Sequence, residues 1–113
     1  MAQSHILDLQ SLVDRLATRI GGVKSIECKR FFNGAAAYVD GHIFMTLTPV
    51  GLALKLPEHD RTVLLAEGAR LLQYFPKAPI KKDYVVFPDR IAENDDALAP
   101  LVKTSISFVL GSL

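Results

Sequence analysis

The stretch from Arg30 to Phe44, RFFNGAAAYVDGHIF, contains the residues of this chain that could form a ligand-binding glycine loop. Loops that bind phosphate do so through backbone N–H groups and carry patterns such as GxGxxG or GxxxxGKS/T. Neither pattern is present in this stretch. Gly34 follows Asn33 and Gly41 follows Asp40, and such dipeptides are typical of tight turns between strands. The glycines therefore indicate turns, and we predict no cofactor.

Three histidines are the other candidates for metal or acid–base chemistry. His5, His42 and His59 share no ligand spacing such as H-x-x-x-H, and no partner motif accompanies any of them. We predict that all three are solvated and that the chain has neither a metal site nor catalytic residues.

Cys28, the single cysteine, lies in a strand-like run in which alternation places it on the same face as Ile26 and Arg30. A reactive thiol needs a nearby cation, for which Lys29 and Arg30 are the local candidates, and a catalytic partner in a recognisable motif, which is absent. We predict a partly buried, inert thiol. A ligand site or enzyme centred on Arg30, Asp40 and Cys28 is the hypothesis that the residues support least.

Basic and aromatic residues are interleaved near the first strand-like run and near the last two. Such residues can form a platform for single-stranded nucleic acid. The alternative is an aromatic sheet core in which lysines protect a loop and an edge strand. We favour the alternative because 13 Lys and Arg stand against 12 Asp and Glu, which gives a net charge of only +1. The candidate interaction surface comprises Arg30, Phe31, Phe32, Lys77, Lys81, Lys82 and Tyr84.

The elements that must position these residues follow from periodicity. Apolar residues recur at three- and four-residue spacing from Ile6 to Ile20, which predicts an amphipathic helix that ends at Gly21-Gly22. The chain then contains four β-compatible runs, KSIECKRFF, AAAYV, HIFMTL and LALKL. Asn33-Gly34, Asp40-Gly41 and the TPVG stretch at 48–51 separate them. These turn signals predict an antiparallel meander.

A short helix is predicted after Pro57, with Val63, Leu64 and Ala66 facing the core and Gly68 at its end. The runs LLQYF and DYVVFP predict two further strands joined by the loop PKAPIKK. A final helix follows, for which the candidate N-caps are Asn94, Asp95 and Asp96.

The order α-β(3-4)-α-β(2)-α lacks the one-by-one alternation of strand and helix that a doubly wound parallel sheet requires. We predict an α+β fold of two layers, with an antiparallel sheet and helices packed on one face. A length of 113 residues suits one domain over residues 1–113. Hydrophobic residues make up 50% of the chain, which exceeds what a small core needs and predicts a homodimer.

The lone cysteine excludes an internal disulfide. Neither a signal peptide nor an apolar run of about eighteen residues is visible, so we predict a cytoplasmic protein that does not enter a membrane.

The segments LVDRLATRIGGVKSIE, KRFFNGAAAYVDGHIF, LALKLPEHDR and YVVFPDRIAENDDALAPLV together resemble the TfoX N-terminal domain family in order and spacing. The most specific part is the Tyr38–Gly41 tetrapeptide, YVDG, with Phe32 and Gly34 before it and Leu54-Lys55 after it. The family commonly has Gly at the positions of Asn33 and Ala36.

This resemblance implies an α+β fold similar to secretion-chaperone-like domains, which often dimerise. It also implies a stand-alone N-terminal domain and a role like that of the competence and transcription regulators named for TfoX (Sxy), with no established catalytic residues to carry over. We therefore favour a non-enzymatic regulatory or protein-interaction domain. The alternative is a nucleic-acid-binding module that uses Arg30, Lys77, Lys81 and Lys82.

Overall fold

The fold is a six-stranded antiparallel sheet with four helices, as seen in a computed structural model that describes residues 5–20 and 26–111. The elements, in chain order, are α1 His5–Leu16, β1 Ile26–Phe31, β2 Gly34–Val39, β3 His42–Thr48, β4 Gly51–Lys55, α2 Glu58–Ala66, β5 Arg70–Leu72, β6 Lys81–Val86, α3 Asp89–Ala92 and α4 Asp95–Val109. The strand order is β1-β2-β3-β4-β6-β5, and every neighbouring pair is antiparallel. The predicted α+β class is confirmed, with the short helix α3 as an addition.

The main core lies between the sheet and the helices. The apolar face of α1 is buried as its periodicity predicts, with Leu9, Leu12, Val13 and Leu16 all in the core cluster. The helix ends at Leu16, which corrects the predicted extent to Ile20: residues 17–20 form turns, in which the N–H of Ile20 still donates to the Leu16 carbonyl. The predicted stop at 21–22 lies outside the described residues. Because α1 and α4 both contact the same face of the sheet, the opposite face is left to other parts of the chain.

The hairpin between β2 and β3 has the predicted turn. Asp40 and Gly41 both have positive φ, 49° and 84°, which is the requirement of a type I′ turn. The predicted turn between β3 and β4 is also present, with Thr48 paired to Gly51 and Pro49 at the second position.

The hairpin between β1 and β2 turns one residue earlier than predicted. Phe31 pairs with Gly34, so the central residues are Phe32 and Asn33, and Gly34 is the first residue of β2. A Cβ on Gly34 would lie 2.2 Å from the Leu47 carbonyl oxygen. The glycine is therefore required by the close approach of two strands rather than by the turn, which corrects the prediction from Asn33-Gly34.

The predicted strand LLQYF is wrong in its second half. β5 is Arg70–Leu72, and the chain leaves the sheet before Tyr74 and Phe75. Pro76 follows directly, and a proline lacks the N–H that a ladder needs. The side-chain amide of Gln73 donates to the carbonyls of Pro76 and Ala78 in the loop that follows.

The prediction for α2 is wrong for two of its three core residues. Leu64 is buried, whereas Val63 and Ala66 are exposed. The helix lies over the β5–β6 side of the sheet, where only a narrow stripe of its surface, that of Leu64, is buried.

The last helix begins as predicted. The Asn94 side chain accepts hydrogen bonds from the backbone N–H groups of Asp96 and Ala97, so Asn94 is the N-cap. A feature not predicted is Ser105, which is fully buried and shares its single O–H between the carbonyls of Lys55 and Phe44, at 2.6 and 3.1 Å from Oγ. Ser105 thereby joins α4 to β3 and β4.

Candidate functional site

The face of the sheet turned away from α1 and α4 carries a second, smaller hydrophobic cluster. Ala53, Leu72 and Val86 form its buried part, and Tyr74 and Tyr84 pack against it. The central strands also present small side chains here, and two of them, Ala36 and Thr46, are fully buried. Small side chains at the centre of a sheet face leave room for a loop to lie over it.

Residues 73–80, between β5 and β6, form that loop. The ring of Tyr74 contacts the rings of Phe31 and Phe32, with centroid distances of 5.9 and 5.2 Å. Phe31 and Phe32 themselves meet edge to face at 4.6 Å. These are the separations at which aromatic pairs attract one another. Tyr74 thus joins the loop after β5 to the turn after β1, although β1 and β5 are opposite edges of the sheet.

Phe31, Phe32, Tyr74 and Phe75 make up what we call the aromatic surface. Phe32 and Phe75 are 76% and 60% exposed, which is unusual for the side chains that most favour burial. Together with Tyr74 and Asn33 they line a cleft of ≈ 310 Å³. A cleft with aromatic walls and exposed rings at its mouth is suited to take up an apolar group from another molecule.

Phe32 is held in an unfavourable backbone conformation. Its φ is 51°, in the left-handed region that a bulky side chain rarely adopts. Asn33 does not share this positive φ, and glycine is the residue that adopts a conformation such as that of Phe32 at no steric cost. Strain of this kind, combined with an exposed ring, favours a functional role for the side chain over a structural one.

The loop that carries Phe75 is braced from within. The side-chain amide of Gln73 donates to the carbonyls of Pro76 and Ala78, at 3.0 and 2.9 Å. The backbone N–H of Ala78 donates to the carbonyl of Phe75 at 2.8 Å, and Ala78 is buried. Phe75 is therefore presented at a defined position.

Three tyrosines on this face influence one another. Burial raises the pKa of Tyr84 to about 12, and the neighbouring Tyr74, Tyr38 and Asp83 add to the rise. Burial also raises the pKa of Tyr74, against a smaller opposing effect of the Thr46 hydroxyl beside it. That hydroxyl is buried and has no hydrogen bond of good geometry. Tyr74 and Tyr84 are consequently neutral at physiological pH, so they can donate hydrogen bonds but are not phenolate nucleophiles.

The comparison with protein families decides where this chain belongs. The model of the TfoX N-terminal domain matches residues 18–109, which is most of the chain. The chain belongs to the TfoX N-terminal domain family. The resemblance stated from the YVDG hairpin is thus confirmed, and the comparison with curated proteins gave no match.

The basic residues predicted for the interaction surface of this TfoX N-terminal domain are not brought together. Arg30 pairs with Ala35 on edge strand β1, while Lys81 and Lys82 begin β6, with three strands between them. Lys77 is exposed in the loop that carries Phe75. The two predicted aromatic residues Phe31 and Phe32 do lie together, in the aromatic surface. The predicted Tyr84 is instead half-buried against the smaller hydrophobic cluster of Ala53, Leu72 and Val86.

The weaker candidate of Arg30, Asp40 and Cys28 is also dispersed in this member of the family. Arg30 lies near the β1–β2 turn, and Asp40 lies in the hairpin at the other end of β2. Cys28 is half-buried, and burial, followed by the charge of Asp14, raises the pKa of its thiol. A raised thiol pKa reduces the reactive thiolate, as an inert cysteine requires.

Within residues 5–20 and 26–111 of this TfoX N-terminal domain, no group of three His, Cys, Asp or Glu side chains could hold a metal ion. None of the helices in the same part of the chain is long and apolar enough to cross a membrane.

A second cleft of ≈ 610 Å³ lies between α2 and the start of α4, with Val63 and Leu101 among its lining residues.

Sequence reasoning missed Tyr74 and Phe75 as part of this surface because they continue an apolar run that reads as a strand. The available signal was the pair of prolines, Pro76 and Pro79, which shows that the run cannot continue in a ladder.

Proposed function

We propose that this chain is a non-enzymatic regulatory domain that binds a protein partner through the aromatic surface. The observation that supports this most directly is Phe32, which combines positive φ with a side chain that is 76% exposed. Glycine would suit this backbone conformation better, and the exposed part of the ring supports a contact with a partner in addition to the contacts of the ring with Phe31 and Tyr74. Partner surfaces are enriched in aromatic residues that act as anchors in a small number of central positions.

Membership of the TfoX N-terminal domain family supports the regulatory part of the proposal, since this is a regulatory-type family. The finer expectation, drawn from the family members named for TfoX, is a partner that acts in the transcriptional control of competence. We place this activity in the cytoplasm, consistent with the single cysteine of the chain.

A change at Phe32 tests the proposal with a folded protein. The variants Phe32→Gly and Phe75→Ser remove the exposed rings, and Leu65→Ser removes an exposed apolar side chain from α2 as the matched control. Each tagged chain is expressed in the cell of origin, and the proteins captured with it are compared quantitatively. We expect one partner to be recovered with the unchanged chain and with Leu65→Ser, and to be lost at least tenfold with the two aromatic variants.

Recovery of the same partner in equal amount with Phe32→Gly and Phe75→Ser would contradict the aromatic surface as its binding site. Circular dichroism and thermal unfolding of the purified variants verify that each remains folded.

Nucleic-acid binding is the less favoured function because Arg30 and the Lys81-Lys82 pair lie on separate strands. We expect no salt-sensitive binding of single-stranded DNA or RNA by the chain in fluorescence anisotropy at low ionic strength. Binding that falls with added salt and is weakened by Lys81→Glu would favour the nucleic-acid function instead.

A further inference from the structure

The outer edge of β1 is an unpaired strand edge in the part of the chain that the structure describes. Among the described strands, β1 pairs only with β2, and its six residues make it twice as long as the other edge strand, β5. An edge of this kind presents a row of backbone N–H and C=O groups that another strand can bond. The side chains along β1 decide which strand that is.

A second copy of this chain can pair with β1 in few ways. A two-fold axis perpendicular to the sheet keeps the helix side of both copies on the same side of the joined sheet. Residues directly opposite each other in an antiparallel pair point to the same face of the sheet. The axis must therefore pass between one residue and the same residue of the second copy. Within Glu27–Arg30 there are four such residues, and each defines one register.

The charges distinguish these four registers. An axis at Glu27 places two carboxylates opposite each other, and an axis at Lys29 or Arg30 places two cations opposite each other. An axis at Cys28 places Glu27 opposite Lys29 of the second copy, and the symmetric pair repeats it. Opposite charges directly across a ladder stabilise it and like charges destabilise it, so one register is favoured.

We propose that β1 pairs antiparallel with β1 of a second copy of this chain, in the register in which Cys28 faces Cys28. Glu27 and Lys29 lie on the same face of the strand, are 71% and 57% exposed and form an ion pair at 3.7 Å within one chain, where the Lys29 ammonium also lies over the ring of Tyr38. Because this ion pair is exposed to solvent, it can be exchanged for the same pair across the axis at little cost. In this register Ile26 lies opposite Arg30, whose methylene groups can cover it while the guanidinium reaches solvent. The proposal does not depend on the aromatic surface.

Cys28 provides a direct readout, since it is the only cysteine in the chain. Opposite residues of an antiparallel pair have Cα atoms about 4.5 to 5.5 Å apart, which lies within the span of a disulfide. Incubation of the full chain with oxidised glutathione at alkaline pH, where more of the thiol is ionised, should yield a covalent dimer. Its yield is measured by non-reducing electrophoresis, and mass spectrometry locates the bond at Cys28.

Charge exchange separates specific pairing from random collision of thiols. Glu27→Lys places lysines opposite each other, Lys29→Glu places glutamates opposite each other, and the double variant E27K/K29E restores two opposite pairs. We expect each single variant to lower the dimer yield at least fivefold, and the double variant to recover most of it. Equal yields in all four proteins would overturn the proposed register.

A non-covalent measurement tests the dimer itself. Sedimentation equilibrium of Cys28→Ser should show a monomer–dimer equilibrium that Glu27→Lys shifts to monomer and that the double variant restores. A chain that stays monomeric at every concentration would overturn the proposal, because the charges would then protect the edge against pairing. Phe32→Gly should leave this equilibrium unchanged, so a failure here and a failure of the aromatic surface are distinguishable.

Discussion

The absence of a side chain at Gly34 allows β2 and β3 to approach at the end of the sheet. An added Cβ would meet the Leu47 carbonyl oxygen at 2.2 Å and the Thr48 Cα at 2.8 Å. Both are backbone atoms of a paired strand, which cannot move aside without loss of ladder hydrogen bonds. We expect Gly34→Ala to lower the free energy of unfolding by about 3 kcal/mol, as measured by urea denaturation.

Gly41→Ala is the matched control for this change. A Cβ at Gly41 would meet nothing within 4 Å, but the φ of +84° disfavours any side chain. The expected loss is about 1 to 2 kcal/mol, from backbone conformation alone. A loss at Gly34 no larger than the loss at Gly41 would show that the sheet can yield at this point.

The positive φ of Phe32 can be tested by comparing the stability of its glycine and alanine variants. At an ordinary position glycine is less stabilising than alanine by about 0.5 to 1 kcal/mol. At positive φ the order changes because alanine keeps the steric conflict of its Cβ. Since Phe32→Ala and Phe32→Gly lose the same ring contacts, we expect the glycine variant to be the more stable by about 1 kcal/mol in urea denaturation. The opposite order would mean that the turn holds Phe32 without strain.

At the level of elements, α4 is attached to the sheet by a polar contact as well as by its apolar side chains. The Ser105 hydroxyl is fully buried beside the carbonyls of Phe44 and Lys55. Ser105→Ala removes the only donor of this contact, and we expect a loss of about 1 to 3 kcal/mol in the free energy of unfolding. Thr104→Ala is the control, since the Thr104 hydroxyl donates to Pro100 within the same helix and should cost under about 0.5 kcal/mol. Equal effects would mean that the Ser105 bridge adds nothing to the attachment of α4.

The elements that sequence patterns predict well are those whose signals are local. The α1 stripe, the Asp40-Gly41 turn and the Asn94 cap each depend on residues within one or two turns of each other, and all three are present. The predicted position of the β1–β2 turn is wrong by one residue, because Gly34 is required by its contact with β3 and not by the turn. That contact involves Thr48, fourteen residues away in the sequence. Such long-range contacts leave no mark in the periodicity of a single segment.

The candidate site could be predicted only in part for the same reason. The sequence identifies Phe31 and Phe32, but their partner Tyr74 comes from the other edge of the sheet and stands in a run that favours a strand. The basic residues stand near aromatic residues in the sequence, which favours a common surface. The sheet order separates them, and a strand order of this kind is not readable from the runs themselves.

For the whole molecule, the raised pKa values of Tyr74 and Tyr84 lead us to expect a loss of stability at high pH. A phenol whose pKa is raised in the folded protein stabilises it fully below the unfolded pKa of 10.0, and this contribution is lost as the pH rises through the folded value of about 12. Urea denaturation at increasing pH should show the decline between those two values. Tyr84→Phe should reduce the decline while leaving unfolding near neutral pH little changed. An identical alkaline decline in both proteins would assign it to other groups.

The Gln73 brace has a consequence for the thermodynamics of association. A binding loop that is disordered in the free protein must lose conformational entropy when the partner arrives, and that loss weakens the complex. Here Gln73 already restrains the chain from Pro76 to Ala78, and Tyr74 is anchored between two other rings. A partner of the kind we propose would therefore meet a preorganised surface, and the heat of its binding should reflect little folding of this domain.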